Sequence, residues 1–265
     1  MSINDINNAA AAMNQLKARY EGFLNDADDQ ISARQGAYDA LAANLKGIVK
    51  SEMYFVATIE PDNPNPTNVD NGTFLTINAA ISAAPAGSFV DIRLPAGGTY
   101  EVLNGITVEY RSIKLSKYGV GDNPIVEFKA YVNGPYNHIP SLSISGGGHI
   151  SFFGVEVVLP TERADPALEW SAAQAVVAYT PGGIINVSFD RSKLTGGIVG
   201  DNTLGLAIGG AGSIVNLGVY LSTLDGNVAA IIGSGAKVIS RVSISLENGA
   251  QVYTNGTVGV DVIQH

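Results

Sequence analysis

The sequence contains no cysteine and one tryptophan, and only 15% of its 265 residues are charged. Without thiols there are no disulfides, no thiolate metal sites and no cysteine nucleophile, and the redox compartment stays unread. Serine nucleophile elbows, Walker loops and zinc-ligand spacings are also missing, so no cofactor is expected and no metal site is assigned. The glycine-rich strings at 145 to 149 and 208 to 213 lie between strand-like segments, not ahead of a helix, and read as turns instead of phosphate cradles. No basic stretch followed by an apolar one opens the chain, which is therefore expected to be made as a cytosolic product without a secretory signal.

What charge there is falls unevenly. Residues 1 to 50 carry five basic and six acidic side chains, so most of the net charge of −9 belongs to the remainder. An acidic body repels nucleic acid and anionic membranes, and neither is expected as a partner. The 23-residue uncharged run from 202 to 224 is long enough to suggest a membrane span. It contains Gly205, Gly209, Gly210, Gly212 and Gly218, and Val215, Leu217, Val219 and Leu221 alternate, so it reads as buried strand.

Residues 2 to 50 have no proline and three glycines. Ser2 with Asp5 forms a capping box, and apolar or aromatic residues recur at Ile6, Met13, Leu16, Tyr20, Leu24, Ala27, Ile31, Tyr38, Leu41, Leu45 and Ile48. From Tyr20 the steps alternate four and three, with Arg34 as the polar exception, which is the seam of a coiled coil. One helix of this length would extend ~70 Å at ~1.5 Å per residue and needs partners in water, copies of itself being the simplest. Asp28, Asp29 and Gly36 are candidate breaks, which keeps a folded-back hairpin as the alternative. Residues 51 to 72, with Pro61, Pro64 and Pro66 among Asp and Asn, read as an irregular connector. Asp62 and Asp70 there fit turn formation better than cation binding, because no ligand spacing of the EF-hand type accompanies them.

Residues 74 to 100 read FLTINAAISAAPAGSFVDIRLPAGGTY. Ile77, Ala80, Ile81 and Ala84 share a helical face, while Val90, Ile92 and Leu94 alternate with Asp91 and Arg93 at strand spacing. A short amphipathic helix followed at once by a strand suits the start of a strand stack, whose open edge the helix hides. The segment resembles the opening motif of the pectate-lyase-like right-handed β-helix family found in many bacteriophage tailspikes and fibres. The matching residues are Phe74, Ile77, Ala80, Ile81, Ala84, Gly87, Val90, Leu94, Pro95, Gly97 and Tyr100. The stretch YFVATIEPDNPNPTNVDNGTF is similar to the lead-in that such proteins place before it.

The resemblance covers 74 to 100 specifically and 53 to 265 loosely. Joined to the helical seam and the proline-rich stretch before it, it implies a mainly β chain in three parts: an N-terminal α-helical coiled coil over 1 to 50, read from its own spacing, a connector over 51 to 72, and a capped, short right-handed parallel β-helix over 73 to 265. It also implies a homotrimer placed on a virion, displayed outside the particle, with the helix attached to another virion protein.

An internal repeat supports a solenoid from residue 146 onward. Ungapped blocks start at Ile150, Ile185, Val215 and Ser240, with Phe152, Val187, Leu217 and Val242 third and Leu159, Leu194, Leu224 and Gly249 tenth. Eight residues before each start stand Leu142, Val177, Ala207 and Ile232, inside a second apolar strand. At about 25 residues per coil, roughly seven coils would stack to some 35 Å at ~4.8 Å each, which is short for the polysaccharide-cleaving members of the family. Val258, Val260 and Val262 still alternate near His265, so the last coil is expected to be covered by sister chains or another protein.

The family's galacturonan hydrolases carry closely spaced aspartates and a Gly-His-Gly step, whereas here Gly148-His149 is followed by Ile150, and Asp28-Asp29 lies in the helix. His149 reads as a turn residue. Glu156, Asp190, Asp225 and Glu247 have different offsets within the repeat and read as a solvated face, so no catalytic residue is assigned. The strongest binding candidates lie in the longest insertion, PTERADPALEWSAAQ: Glu162, Arg163, Asp165, Glu169 and Trp170, an indole that could stack on a sugar among carboxylates that accept its hydroxyls. The reading is a structural virion protein, a short trimeric tail fibre or spike for attachment or for recognition of a host glycan. A compact glycan depolymerase and a capsid decoration or tail adaptor are the alternatives.

Overall fold

The computed structural model describes residues 2–145, 148–171, 174–179, 183–197, 204–210, 212–233, 236–254 and 262–264. The chain divides into two compact units, Met1–Ser51 and Glu52–His265.

The first unit is helical: helix α1 runs from Ile3 to Met53 without interruption at Asp28, Asp29 or Gly36, which removes the hairpin alternative. Its start is capped as the sequence predicts, Ser2 N donating to Asp5 Oδ2 (2.8 Å) and Asp5 N to Ser2 Oγ (3.3 Å). The bonds from Ser2 hold the Asp5 carboxyl below its ordinary value. Met13, Leu16, Tyr20, Ile31, Tyr38, Leu41, Leu45 and Ile48 are all exposed.

The second unit is a stack of mostly parallel strands arranged in three ladders, which the chain visits in rotation. The first ladder takes Tyr54–Ile59, Phe89–Pro95, Ser112–Tyr118, His149–Phe153 and Ile184–Asp190, then the leading parts of Ile214–Gly226 and Ala236–Glu247, and finally Val262–Gln264. The second takes Thr99–Val102, Ile125–Phe128, Glu156–Val158, Lys193–Gly196 and the trailing parts of the two long strands. Those long strands run through the corner and join both ladders into one 13-stranded sheet curled as a half-barrel. The third ladder is a six-stranded sheet of Ile106–Glu109, Leu142–Ser145, Ala175–Tyr179, Leu204–Gly209, Val228–Gly233 and Gln251–Tyr253.

Side chains pointing inward from the three ladders form the core. In the first ladder Phe55, Val90, Ile113, Ile150, Val187, Leu217, Ile239 and Gln264 fall in one register column, spaced 35, 23, 37, 37, 30, 22 and 25 residues apart. The first seven of these are buried. Each Val, Leu, Ile or Phe so buried contributes about 1.5–3 kcal/mol. The uncharged run from 202 to 224 contributes Leu204–Gly209 and most of Ile214–Gly226, with inward residues Leu206, Val215, Leu217 and Val219 fully buried. No helix among the described residues is long and apolar enough to cross a membrane.

The register differs from the ungapped alignment at both ends. Ile185 pairs with Val215, and Leu194 with Leu224, as expected, but Ile150 pairs with Val187 and Val215 with Lys237. The column expected to run Leu159, Leu194, Leu224, Gly249 therefore runs Val157, Leu194, Leu224, Leu246. The first mismatch is a shift of two residues, which an alternating pattern survives unchanged, whereas the second is a shift of three and brings the buried Lys237 into register with the inward Val215, so hydrophobicity alone does not fix the register. The corner fixes it. Gly154, Arg191, Leu221 and Ser243 stack there with φ of 63°, 49°, 46° and 54°, three of them non-glycine residues in the left-handed region. The residue after the corner turns inward, and Ser192 and Ser222 are buried at that place. Val155 N donates to Ser192 Oγ (3.2 Å) and Ser192 N to Ser222 Oγ (3.1 Å), tying one coil to the next. In the third ladder Leu142, Val177 and Ala207 are in register, and Ala207 continues to Ile231 instead of Ile232.

The stack begins earlier than the connector reading allows. Tyr54–Ile59 is a strand paired with Phe89–Arg93, because its apolar alternation precedes the first proline at Pro61. The acid-rich turn after it is held internally, with Asp70 Oδ1 accepting from Val56 N (2.7 Å). Helix α2, Ile77–Ala83, follows with Thr76 Oγ1 accepting from Ala79 N (3.1 Å), and it buries Ile77, Ala80 and Ile81 against the first strands. Val258, Val260 and His265 lie outside the described residues.

Candidate functional site

The two 37-residue steps of the first ladder carry extra chain, and this is where the stack grows a lateral feature. Tyr131–Asn133 and Tyr136–His138 form an antiparallel hairpin, with Gly134 at φ 59° supplying its turn. Glu169–Trp170, from the insertion one coil later, adds in parallel to Tyr136–Asn137. The result is a three-stranded sheet separate from the ladders.

Asn137 joins the two insertions. It is fully buried, its Nδ2 donates to the carbonyls of Asp165 (2.8 Å) and Leu168 (2.6 Å), and its Oδ1 accepts from Asp165 N (2.9 Å). Gln174 closes the other side, donating from Nε2 to Asn137 O (3.0 Å) and accepting from Ile139 N (2.6 Å). A buried amide with both ends satisfied orders a loop, whereas an unsatisfied one would cost about 1–3 kcal/mol.

The register decides which side chains share a face. Tyr131 opposes His138, Asn133 opposes Tyr136, and Tyr136 neighbours Glu169, so all five belong to one face, with Asn137 and Trp170 on the other. The Tyr131 and His138 rings are 5.6 Å apart. Tyr131, Asn133, Tyr136 and Glu169 are exposed, and a cavity of about 280 Å3 opens beside Tyr131 and His138 towards Gln174 and Ile208. Two phenols, an imidazole, an amide and a carboxylate on a rigid sheet are the groups that stack on and hydrogen-bond to a polyhydroxylated ring.

The five residues proposed from sequence take different places in this insertion. Arg163 Nη2 pairs with Glu169 Oε2 (3.2 Å), and its Nη1 donates to Leu168 O (3.3 Å). Asp165 Oδ1 accepts from Ala167 N (2.9 Å) within its own turn. Glu162 is exposed on the loop. Trp170 is 6% exposed and packs into the main core, so its indole anchors the insertion and does not face solvent. Tyr131, Asn133, Tyr136, His138 and the organising Asn137 are absent from the sequence reading. The available signal was Asn133-Gly134 between the alternating triplets YVN and YNH, which marks a hairpin.

His149 differs from its expected turn position: it opens the strand His149–Phe153 and lies in a groove of about 300 Å3 with Asn186, Ser188, Asn216 and Tyr220. Its Nε2 is 2.8 Å from Ser188 Oγ, and burial holds its pKa below the ordinary value. Asn216 Nδ2 donates to Asn186 Oδ1 (3.2 Å), and Asn186 Nδ2 to Gly148 O (3.4 Å). This amide row binds successive coils to one another.

Of the four acids expected to lack a common column, Asp225 and Glu247 are in register neighbours, while Glu156 pairs with Lys193 and Asp190 lies on the first ladder. Asp225 receives Asn248 Nδ2 (2.7 Å) and Lys193 Nζ (3.0 Å), which hold its carboxyl below the ordinary value. A carboxyl so stabilised as an anion is a poor general acid. No group of three or more metal-ligating acids or histidines occurs among the described residues. Compared with protein-family models, curated proteins and solved structures, the chain gives no match.

Proposed function

We propose that the chain is a structural protein of a bacteriophage particle, a short homotrimeric fibre or spike in which α1 forms a coiled coil and the strand stack is a right-handed parallel β-helix. Its lateral sheet recognises a host surface glycan, and its helix attaches to another virion protein. The observation that carries the recognition role is the exposed face of Tyr131, Asn133, Tyr136, His138 and Glu169, held rigid by the buried Asn137. The unbroken 51-residue helix with its exposed heptad seam supports self-association, and the rotation of the chain through three parallel ladders supports the β-helix. Binding without cleavage is the preferred reading over a glycan depolymerase, since Asp225, held as an anion by Asn248 and Lys193, is a poor proton donor to a glycosidic oxygen.

The test is retention of host surface polysaccharide by the purified chain and by Tyr131→Ala with Tyr136→Ala. Loss of each stacked ring should weaken binding by up to about tenfold, with an unchanged unfolding temperature. A double variant that binds as well as the parent removes the lateral sheet from the account, and release of reducing ends by the parent makes the chain an enzyme. Imaging of the intact particle separates a fibre from a decoration or adaptor protein by position.

A further inference from the structure

Helix α2 covers only part of the starting end of the stack. Thr99–Val102 is the first strand of the second ladder, and among the described residues it has one strand neighbour, Ile125–Phe128. Gly98 O and Val102 O accept from Ile125 N (2.8 Å) and Lys129 N (3.2 Å), so residues 98, 100 and 102 direct their backbone towards that neighbour. The alternation of a strand then directs the N–H and C=O of Thr99 and Glu101 to the opposite, free edge.

That edge borders a trough. A cavity of about 720 Å3 lies between the turn at 59 to 64 and Pro95 to Tyr100, and it continues past Tyr100 into a second of about 250 Å3 bounded by Leu75, Thr76 and Leu103. Pro61, Pro64, Pro95 and the ring of Tyr100 give it apolar walls, and Leu75 and Leu103 are 39% and 55% exposed beside it. Its charged groups are Glu60, Asp62 and Glu101. Lys129 is shared between Glu101 and Glu127. An edge strand left in an acid-rimmed apolar trough accepts another strand more readily than a helix, because a helix has already used its backbone groups.

We propose that this trough receives an extended, lysine- or arginine-bearing segment of a partner protein, which adds as a strand to the free edge of Thr99–Val102. Main-chain bonds to Thr99 and Glu101 supply the pairing, alternate apolar side chains enter the proline and tyrosine walls, and the cations meet Glu60, Asp62 and Glu101. A second copy of the same surface is a poor occupant, since residues 51 to 265 carry ten basic against eighteen acidic groups. The inference is independent of the glycan reading and concerns the opposite task, holding a protein.

The probe is a fluorescent octapeptide alternating lysine and valine, titrated into the full chain with anisotropy as the readout. Saturable binding is expected, weakened about tenfold or more by Glu101→Lys and left intact by the remote Asp190→Lys. The same peptide with alternate backbone amides N-methylated keeps its charge but loses one edge of donors, and it should bind about tenfold more weakly. Equal binding of the N-methylated peptide, equal binding of a glutamate–valine peptide, or no saturable binding each overturns the proposal. Unchanged circular dichroism of Glu101→Lys, whose side chain is exposed, separates loss of the site from loss of the fold.

Discussion

The two units use apolar side chains in opposite ways. In the helix, Leu16, Tyr20, Leu41 and Leu45 are each more than half exposed, whereas in the strand stack Phe152, Phe189, Leu217 and Ile239 are fully buried. The exposed seam is what the proposed association would bury, while the stack derives its core from within. That contrast suits a molecule whose one part sets copy number and whose other part presents a surface.

Breaking the helix side of this contrast should have the largest effect. Leu41→Asp with Leu45→Asp places two charges in the seam, and the full chain should fall to the mass of a monomer and lose most of its helical signal at 222 nm, with the strand signal retained. Retained mass would show that the seam is not what associates. On the stack side, Phe152→Ala removes a ring that meets Phe189 at 5.9 Å between centroids and should cost about 3–5 kcal/mol in denaturant unfolding. Gly226→Ala comes next. Gly226 has φ +97°, and an added Cβ would overlap the carbonyl oxygen of Gly196 one coil below, so a loss of about 1–3 kcal/mol is expected, and a neutral result would mean the end of the second ladder relaxes.

The smallest effect concerns Asp225. Its folded pKa lies below the ordinary 3.8, so its stabilising contribution is present above that value and is lost as pH falls through the lower, folded one. Asp225→Asn should therefore lower stability slightly at neutral pH, leave it unchanged at the acid end where the carboxyl is protonated, and so flatten the acid limb of the stability–pH profile. An unchanged acid limb would show that the Lys193 and Asn248 contacts contribute nothing in solution.

Periodicity carried most of the architecture. The capping box at Ser2 and Asp5, the helix at Ile77 and the strand at Val90 all declare themselves through local spacing, which is why each matches its place in the fold. Register was less accessible, because Gly154, Arg191, Leu221 and Ser243 share no residue type although they share a backbone conformation. The candidate site was the least accessible part. Its organiser, Asn137, reaches 28 residues along the chain to Asp165, and nothing in the composition of either insertion announces that pairing. The lone Trp170 drew attention by rarity, yet its size suits the core, and the smaller Tyr131 and Tyr136 occupy the exposed face.

Self-association through the exposed seam of α1 is the central proposal. Light scattering of the full chain in solution tests this most directly. A single species at three times the 27.5 kDa chain mass, unchanged on dilution through the micromolar range, is the expected result. A monodisperse monomer with the helical signal intact would contradict it.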